Sequence, residues 1–528
     1  MITPVIRRAR RFVAAFTNRR TAAVSLLAIA SGMPLGLVWI SIPDWMRSSG
    51  IDIRIVGLTT LAHAPWTFKM LWSPLMDRFS FPWLGRRRGW IALFQILLFA
   101  FTLMLAVGSS PEAPMVIIAL ALAIAFASAS FDIAYDAYTV DVLEEEEQGI
   151  AVGAKISLYR VAMQAAGALS ITLSASISWN AVIALQALVY IPTLLFTVFV
   201  APEAEAKRSI APKSVADAIW KPFLGFLSRH RALEILAFVI FYKLADNLSQ
   251  SLLRPFLIDM GYNEFDRGFA LLTVGLICTL GGTLLGGAMT TAVGLGHSLW
   301  IFGFLQIFSN VGYLFIIWSE TSRATMIGAM SFETFTTGLG MGAFGTMLVR
   351  MTQKRFSATQ YALFSSLFAL PRLVAGPVTG LAVHSFGWES FFWFTMVAGI
   401  PGLILLHRFS PLGRREPIFT IDQVKRAETT PQQWRNRGIV GGLIAVVSAF
   451  MLMAVLRALG GWGDDGYAFT PLAELNALFS PSDAKGWFSL LSVLIFGAAV
   501  GLIVAAISAA RSGAYVDDEA EEASTPAE

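Results

Sequence analysis

Residues 115–137 read MVIIALALAIAFASASFDIAYDA. At a helical rise of 1.5 Å per residue this run extends about 35 Å, enough to cross ~30 Å of hydrocarbon. Its apolar residues are continuous and do not alternate with period two, so it reads as a helix and not as one strand of a barrel. Asp132 and Asp136 lie four residues apart and share one face of that helix. An acid inside an apolar span needs a partner or a watery cavity.

Working outward, comparable runs cover 24–42, 55–72, 91–107, 150–174, 181–200, 233–257, 269–293, 299–318, 324–349, 361–384, 389–406, 440–459 and 488–510, giving fourteen expected spans with 115–137. Composition agrees: 528 residues, 56% hydrophobic, 14% charged, mean hydropathy +0.65. Soluble domains run about 45–50% apolar and about 25% charged, so lipid is the expected solvent. The single cysteine, Cys278, allows no internal disulfide, and five scattered histidines show no ligand spacing, so neither a metal site nor a cofactor is expected.

Cytoplasmic flanks retain Lys and Arg. With the N-terminus inside, 27 of the 39 Lys and Arg fall on the cytoplasmic side, five opposite and seven within spans, which puts both termini in the cytoplasm. The net charge of +4 is then a topology signal and calls for no nucleic-acid partner. The basic start from Arg7 to Arg20 precedes an apolar stretch with no small-residue cleavage pattern, so it reads as an uncleaved first helix. The acidic run Asp517–Glu522 reads as a solvated end.

The expected division is a six-helix bundle at 1–200, a cytoplasmic linker at 201–231, a second six-helix bundle at 232–406, a second linker at 407–437, an added helix pair at 438–510 and a tail at 511–528. A weak repeat supports the two halves: the third span of each opens alike, with Trp90-Ile91 and Gln95-Ile96 matched by Trp300-Ile301 and Gln306-Ile307. Two such halves around a central site are the architecture of the major facilitator superfamily.

Depth along the helices places Arg160, Lys243 and Glu333 roughly 15 Å from the span ends, with Asp132 and Asp246 nearby. Each is read either as an ion pair that locks two helices or as part of a polar site. Within the first twelve spans the cations Lys69, Lys155, Arg160, Lys243, Arg254 and Arg372 outnumber Asp132, Asp136, Asp246 and Glu333, which favours an anionic solute. Asp132 and Glu333 are the candidate proton carriers, since a buried carboxylate disfavours its charged form. Gly32, Phe131, Tyr159, Arg160, Tyr242, Lys243 and Asp246 are the candidate substrate contacts. Gly282/Gly286 and Gly338/Gly342 have small-xxx-small spacing for close helix packing, while Gly32-Met33-Pro34 and Gly376-Pro377 read either as packing or as bends.

Between the second and third spans, Ser73-Pro74-Leu75-Met76-Asp77-Arg78 and Gly85-Arg86-Arg87-Arg88-Gly89-Trp90 resemble the gate loop of the major facilitator superfamily. That resemblance implies a cytoplasmic gate made of Asp77, Arg78, Arg86, Arg87 and Arg88, to which Asp136 and Asp141 are added as acids expected within reach of the arginines. Lys69–Arg78, Ser128–Ile133, Tyr242–Asp246, Phe332-Glu333, Phe356–Leu363 and Gly376–Val378 further resemble the anhydromuropeptide permeases, over roughly residues 22–406. The added helix pair is similar to that family too.

The resemblance implies proton-coupled import of N-acetylglucosaminyl-1,6-anhydro-N-acetylmuramyl peptides from periplasm to cytoplasm for cell-wall recycling. It implies a multi-pass, monomeric, non-enzymatic permease of the bacterial inner membrane, whose partners are an anionic sugar-peptide, protons and lipid. Phe131 stands where the family pattern has Gln. The alternative is an acetyl-CoA-type carrier of the same superfamily, whose cargo is also anionic.

Overall fold

A computed structural model describes residues 18–512 apart from 53–54, 57, 82–83, 109, 111, 204–214, 230, 320–321, 420–428, 462–469 and 480–483. The basic start from Arg7 to Arg11, the tail Asp517–Glu522 and the side chains of Arg254 and Arg372 lie outside the described residues. The described chain is helical, its β-structure limited to one isolated bridge between Phe81 and Gly85.

Contacts gather the chain into two units. Met1–Ala218 and Glu234–Ile418 form one, which contains nearly all of both expected halves, and Ile219–Leu233 with Phe419–Glu528 form the other. The expected linker 201–231 therefore carries structure of its own, the helix Val215–Leu227.

Ten helices among the described residues are long and apolar enough to cross a bilayer, against fourteen expected. The other four runs fall short for physical reasons. The run 55–72 breaks into Leu58–His63, Ala64–Phe68 and Lys69–Leu71, followed by Ser73–Arg78, with Pro65 and Pro74 opening two of the pieces. The run 233–257 forms three helices, Ala232–Phe241, Leu244–Ser251 and Leu253–Asp259, and Lys243 occupies the first break. Arg323–Arg350 is uninterrupted but rich in glycine and threonine. The run 361–384 is the first arm of Ser357–Phe409, which turns at Gly387 (φ +76°) into the run 389–406; that backbone conformation favours a residue without Cβ. Three of these less apolar segments carry Lys69, Lys243 and Glu333, each buried.

The first span starts at Asn18, whose side chain accepts from the Arg20 N–H at 3.1 Å and caps Arg19–Gly36. Pro34 removes one backbone donor, and the helix next widens into a π-turn at Leu37–Ser41. A second π-turn, Ala165–Leu169, receives the Ser41 hydroxyl at the Ala166 carbonyl, 2.6 Å away. Close packing explains most of the glycine punctuation: a Cβ on Gly32 would sit 2.2 Å from the Tyr159 carbonyl oxygen. Gly282 and Gly286 pack on the Phe335–Leu339 backbone as their spacing predicts, with Gly338 and Gly342 returning the contact.

Candidate functional site

Two polar clusters lie buried within the larger unit, and a third joins residues of its two halves. In the first half, Asp136 on the helix Pro114–Val142 accepts from Lys155 Nζ at 2.6 Å and from Lys69 Nζ at 3.3 Å. Lys155 also donates to Thr139 Oγ1 at 3.1 Å and lies 4.1 Å from the Tyr135 ring centroid and 5.6 Å from that of Tyr361, which adds cation–π attraction. Asp132, one turn away, has no cation at bonding distance and accepts from the Ser31 hydroxyl at 2.5 Å.

The second half repeats the arrangement. Lys243 Nζ donates to Asp246 Oδ2 at 2.8 Å, to the Gln306 side-chain oxygen and to the Thr337 carbonyl at 3.4 Å. Glu333, 1% exposed, is held by neutral donors: Gln250 Nε2 at 2.8 Å and Thr337 Oγ1 at 3.1 Å, both on Oε1. Its Oε2 has no partner within hydrogen-bond distance, and the Tyr313 hydroxyl, equally unpartnered, is near enough to act on this carboxyl. Arg160, half-buried, is near enough for its charge to act on Lys243. In each half, then, one carboxylate is paired with lysine and a second is bound by uncharged groups only.

The third cluster is a latch centred on Asp77, whose side chain is fully buried. Asp77 Oδ1 accepts from Arg87 at 2.7 Å, Arg86 at 3.1 Å and the Ala358 N–H at 3.2 Å, and Oδ2 accepts from the Thr359 N–H at 2.8 Å and hydroxyl at 2.7 Å. The carboxylate thereby caps the N-terminus of Ser357–Phe409, where free N–H groups and the helix dipole favour an anion. Arg87 also bonds Asp141 and the Ser357 hydroxyl, at 2.7 and 2.6 Å. Burial pulls the Arg87 guanidinium down, but Asp141 and Asp77 outweigh it and leave its pKa raised; Arg86, less well paired, is lowered by burial and by Arg87. At the same end Arg350 crosses to Gln148 at 3.2 Å and to the Glu145 carbonyl at 3.3 Å. Gly287 there packs so tightly on Gly149 that a Cβ would come 2.2 Å from its carbonyl oxygen. The two halves are therefore joined, backbone to backbone, at the latch end.

Several expected roles are revised. Asp136 meets Lys69 and Lys155 and not the arginine cluster, while Asp141 does reach Arg87. Arg88 bonds the Thr197 and Val198 carbonyls within its own half, and Arg78 stacks over Phe79 at 5.6 Å. Phe131 is fully buried and stacks on Tyr135, with centroids 5.6 Å apart. Gly32 is taken up by the helix contact with Tyr159, itself half-buried. The Tyr242 hydroxyl is spent on the Leu299 carbonyl at 2.9 Å, and its ring stacks on Phe344.

Arg254 and Arg372, which with the other four cations make up the expected surplus, have side chains outside the described residues; the described cations Lys69, Lys155, Arg160 and Lys243 stand against four carboxylates, Asp132, Asp136, Asp246 and Glu333. Gln250 and Thr337 were not singled out in the sequence, although each lies four residues beyond a singled-out acid, Asp246 and Glu333, on the same helix face. Among the described residues no group of three or more His, Cys, Asp or Glu is placed to hold a metal ion.

The sequence profile described as Major Facilitator Superfamily matches residues 24–376. The Anhydromuropeptide permease of Escherichia coli (strain K12) is 37% identical over 398 residues, 75% of this chain and 81% of that protein. Putative transporter AmpG 4 of Rickettsia conorii is 30% identical over 405 residues, 75% of this chain and 98% of that protein. Among solved structures, the human organic anion transporter MFSD10 (TETRAN) matches with a TM-score of 0.54 at 15% identity, over 74% of this chain and 99% of that one. The proton:xylose symporter XylE matches with a TM-score of 0.52 at 12% identity, over 75% and 97%. At those identities the likeness is one of fold.

Proposed function

Because the chain belongs to the major facilitator superfamily, and within it to the anhydromuropeptide permease family, we propose that it imports GlcNAc-1,6-anhydroMurNAc peptides from periplasm to cytoplasm by proton-coupled alternating access. It does so as a fourteen-span monomer of the bacterial inner membrane, with both termini and the Asp77 latch on the cytoplasmic side. The chamber-facing groups are Arg160, Lys243 and Asp246 with Lys69, Lys155 and Asp136, and the proton carriers are Asp132 and Glu333.

The observation that carries this reading is the balance of charge. Among the described side chains, with every group ionised, four cations and four carboxylates cancel, and a cancelled set has little pull on an anion. A proton on Asp132 or Glu333, the two carboxylates without a lysine partner, leaves those eight groups together with one net positive charge. Low dielectric makes that charge felt, because Coulomb attraction in a protein site is several times that in water. Proton and anion then bind with mutual support, which by linkage is reciprocal. A latch closed at one end supplies the other requirement, a state from which the chamber is reached from the opposite face only.

Uptake of radiolabelled GlcNAc-anhydroMurNAc tripeptide into cells expressing the chain, with and without a protonophore, tests the reading. Accumulation that the protonophore abolishes is expected. Absence of uptake, uptake of acetyl-CoA in its place, or accumulation indifferent to the protonophore overturns it.

A further inference from the structure

Thr337 stands where the two carboxylates of the second half meet. It lies one helical turn beyond Glu333 on Arg323–Arg350, and its Oγ1 is 3.1 Å from Glu333 Oε1 and 3.4 Å from Asp246 Oδ2. That same Asp246 oxygen accepts from Lys243 Nζ at 2.8 Å. A threonine hydroxyl has one hydrogen and two lone pairs, so it donates to one carboxylate at a time. Two acceptors therefore compete for a single donor.

We propose that Thr337 is a positioning residue that carries the protonation state of Glu333 to Lys243, and so sets the affinity of Lys243 for a carboxylate on the cargo. The proposal rests on the reading of Glu333 as a proton acceptor. With Glu333 ionised, its Oε1 is the nearer acceptor and takes the Thr337 hydrogen, leaving Asp246 to depend on Lys243. A proton drawn from chamber water adds to Glu333 Oε2, the oxygen without a partner. Oε1 then becomes a neutral carbonyl oxygen, still satisfied by Gln250 at 2.8 Å. Hydrogen bonds to an ionised acceptor are about twice as strong as neutral ones, so the hydroxyl rotates to Asp246. Asp246 Oδ2, now with two donors, holds Lys243 less firmly, and one ammonium hydrogen is released to an incoming anion. Deprotonation reverses each step, and no covalent bond changes except that of the transferred proton.

Among the described residues the other charged and titratable groups in reach are few. Asp246 acts on Glu333 from the Leu244–Ser251 helix, and Tyr313 acts on it from Val311–Trp318. Arg160 acts on Lys243 from Glu145–Gln164. Of the side chains bonded to Glu333 or Lys243, Thr337 alone touches both acids, since Gln250 meets only Glu333 and Gln306 only Lys243.

The test is equilibrium binding of tritiated GlcNAc-anhydroMurNAc tripeptide to the purified full-length chain in nanodiscs, from about pH 8 down to about pH 5, where the cargo's own carboxylates stay largely ionised. Wild type gains affinity by about tenfold as pH falls, within the usual range of coupling between sites. Glu333→Gln imitates the protonated acid, binds more tightly than wild type at pH 8 and keeps only the part of the gain that Asp132 supplies. Thr337→Val loses most of the pH-dependent gain, Thr337→Ser keeps it, and Thr337→Ala serves as the second deletion should the valine variant not fold. Adding Thr337→Val to Glu333→Gln weakens binding by about tenfold, a coupling that loss of packing alone does not produce. Full pH dependence in Thr337→Val with a reduced gain in Glu333→Gln overturns the relay and leaves the proton site intact. Full pH dependence in Glu333→Gln overturns both.

Discussion

Substituting Asp77 by Asn tests whether the latch holds the halves together. Asp77 accepts five hydrogen bonds, three of them from Ala358 and Thr359 across the interface. Each bond to an ionised acceptor contributes about 1.5–3 kcal/mol net, and a carboxylate at a helix N-terminus about 0.3–1 kcal/mol more. Asn keeps one acceptor oxygen and turns its amide hydrogens towards the donors that faced the other. It therefore forfeits about two of the three crossing bonds. Arg87 retains Asp141 within its own half and Ser357 across the interface, which limits the damage. The net loss from the closed arrangement is about 3 kcal/mol, or roughly a hundredfold in the ratio of closed to open molecules. Spin labels at Phe79 and Lys354, both exposed and on opposite sides of the latch, report the separation by pulsed dipolar spectroscopy. Wild type should give one short distance, and Asp77→Asn a second, longer population. Asp141→Asn removes a contact internal to one half and should leave the distribution unchanged. Identical distributions for wild type and Asp77→Asn would refute the assignment of Asp77 to the gate.

The same labels test the glycine contact. Gly287→Ala brings a methyl group against the Gly149 carbonyl and should favour the open arrangement by about 1–3 kcal/mol, whereas Gly328→Ala, with open space at its Cβ, should not. Phe131→Gln buries an amide in an apolar core and should lower the melting temperature by the equivalent of about 1–3 kcal/mol, while uptake per folded molecule keeps its substrate preference. Glu144, outside the spans, is held below the usual carboxyl range by its hydrogen bond from Arg20 and that side chain's charge. Its contribution to stability is accordingly present above the unfolded-state pKa and lost as pH falls through the folded one. Glu144→Gln should lower the melting temperature slightly at neutral pH and not at all in acid; a difference that persists in acid contradicts this.

What could be read in the amino-acid order depended on how local the cause was. Apolar length announced the ten helices that meet the criterion for crossing a bilayer, because each such segment must satisfy its own backbone. Gly282/Gly286 against Gly338/Gly342 followed from a period of four. The break at Lys243 did not announce itself, since no proline or glycine lies beside it in Phe241-Tyr242-Lys243-Leu244. Ion-pair partners were harder still. Asp136 and the arginines of 86–88 sit at similar expected depth, yet depth leaves rotation about the helix axis undetermined, and rotation turns Asp136 towards Lys69 and Lys155. The contact between Gly149 and Gly287 joins residues 138 positions apart; the spacing of Gly149 and Gly153 marks a close-packing face but does not say which helix packs on it.

Charge balance also explains why the clusters are tolerable in a bilayer. Removing one member of a buried pair costs about 3–5 kcal/mol, because the survivor is left uncompensated. Lys155→Met leaves Asp136 with Lys69 alone at 3.3 Å and strips the cation from over the Tyr135 ring. A drop in melting temperature equivalent to about 3 kcal/mol should follow. Changing both partners, Lys155→Met with Asp136→Asn, leaves Lys69 facing a neutral amide with Asp132 still nearby, so the double variant should be more stable than the single one even though it has lost one more charge. If the double variant is instead less stable, the cluster is held by packing and the cancellation argument, on which the coupling of proton to anion depends, does not apply to this half.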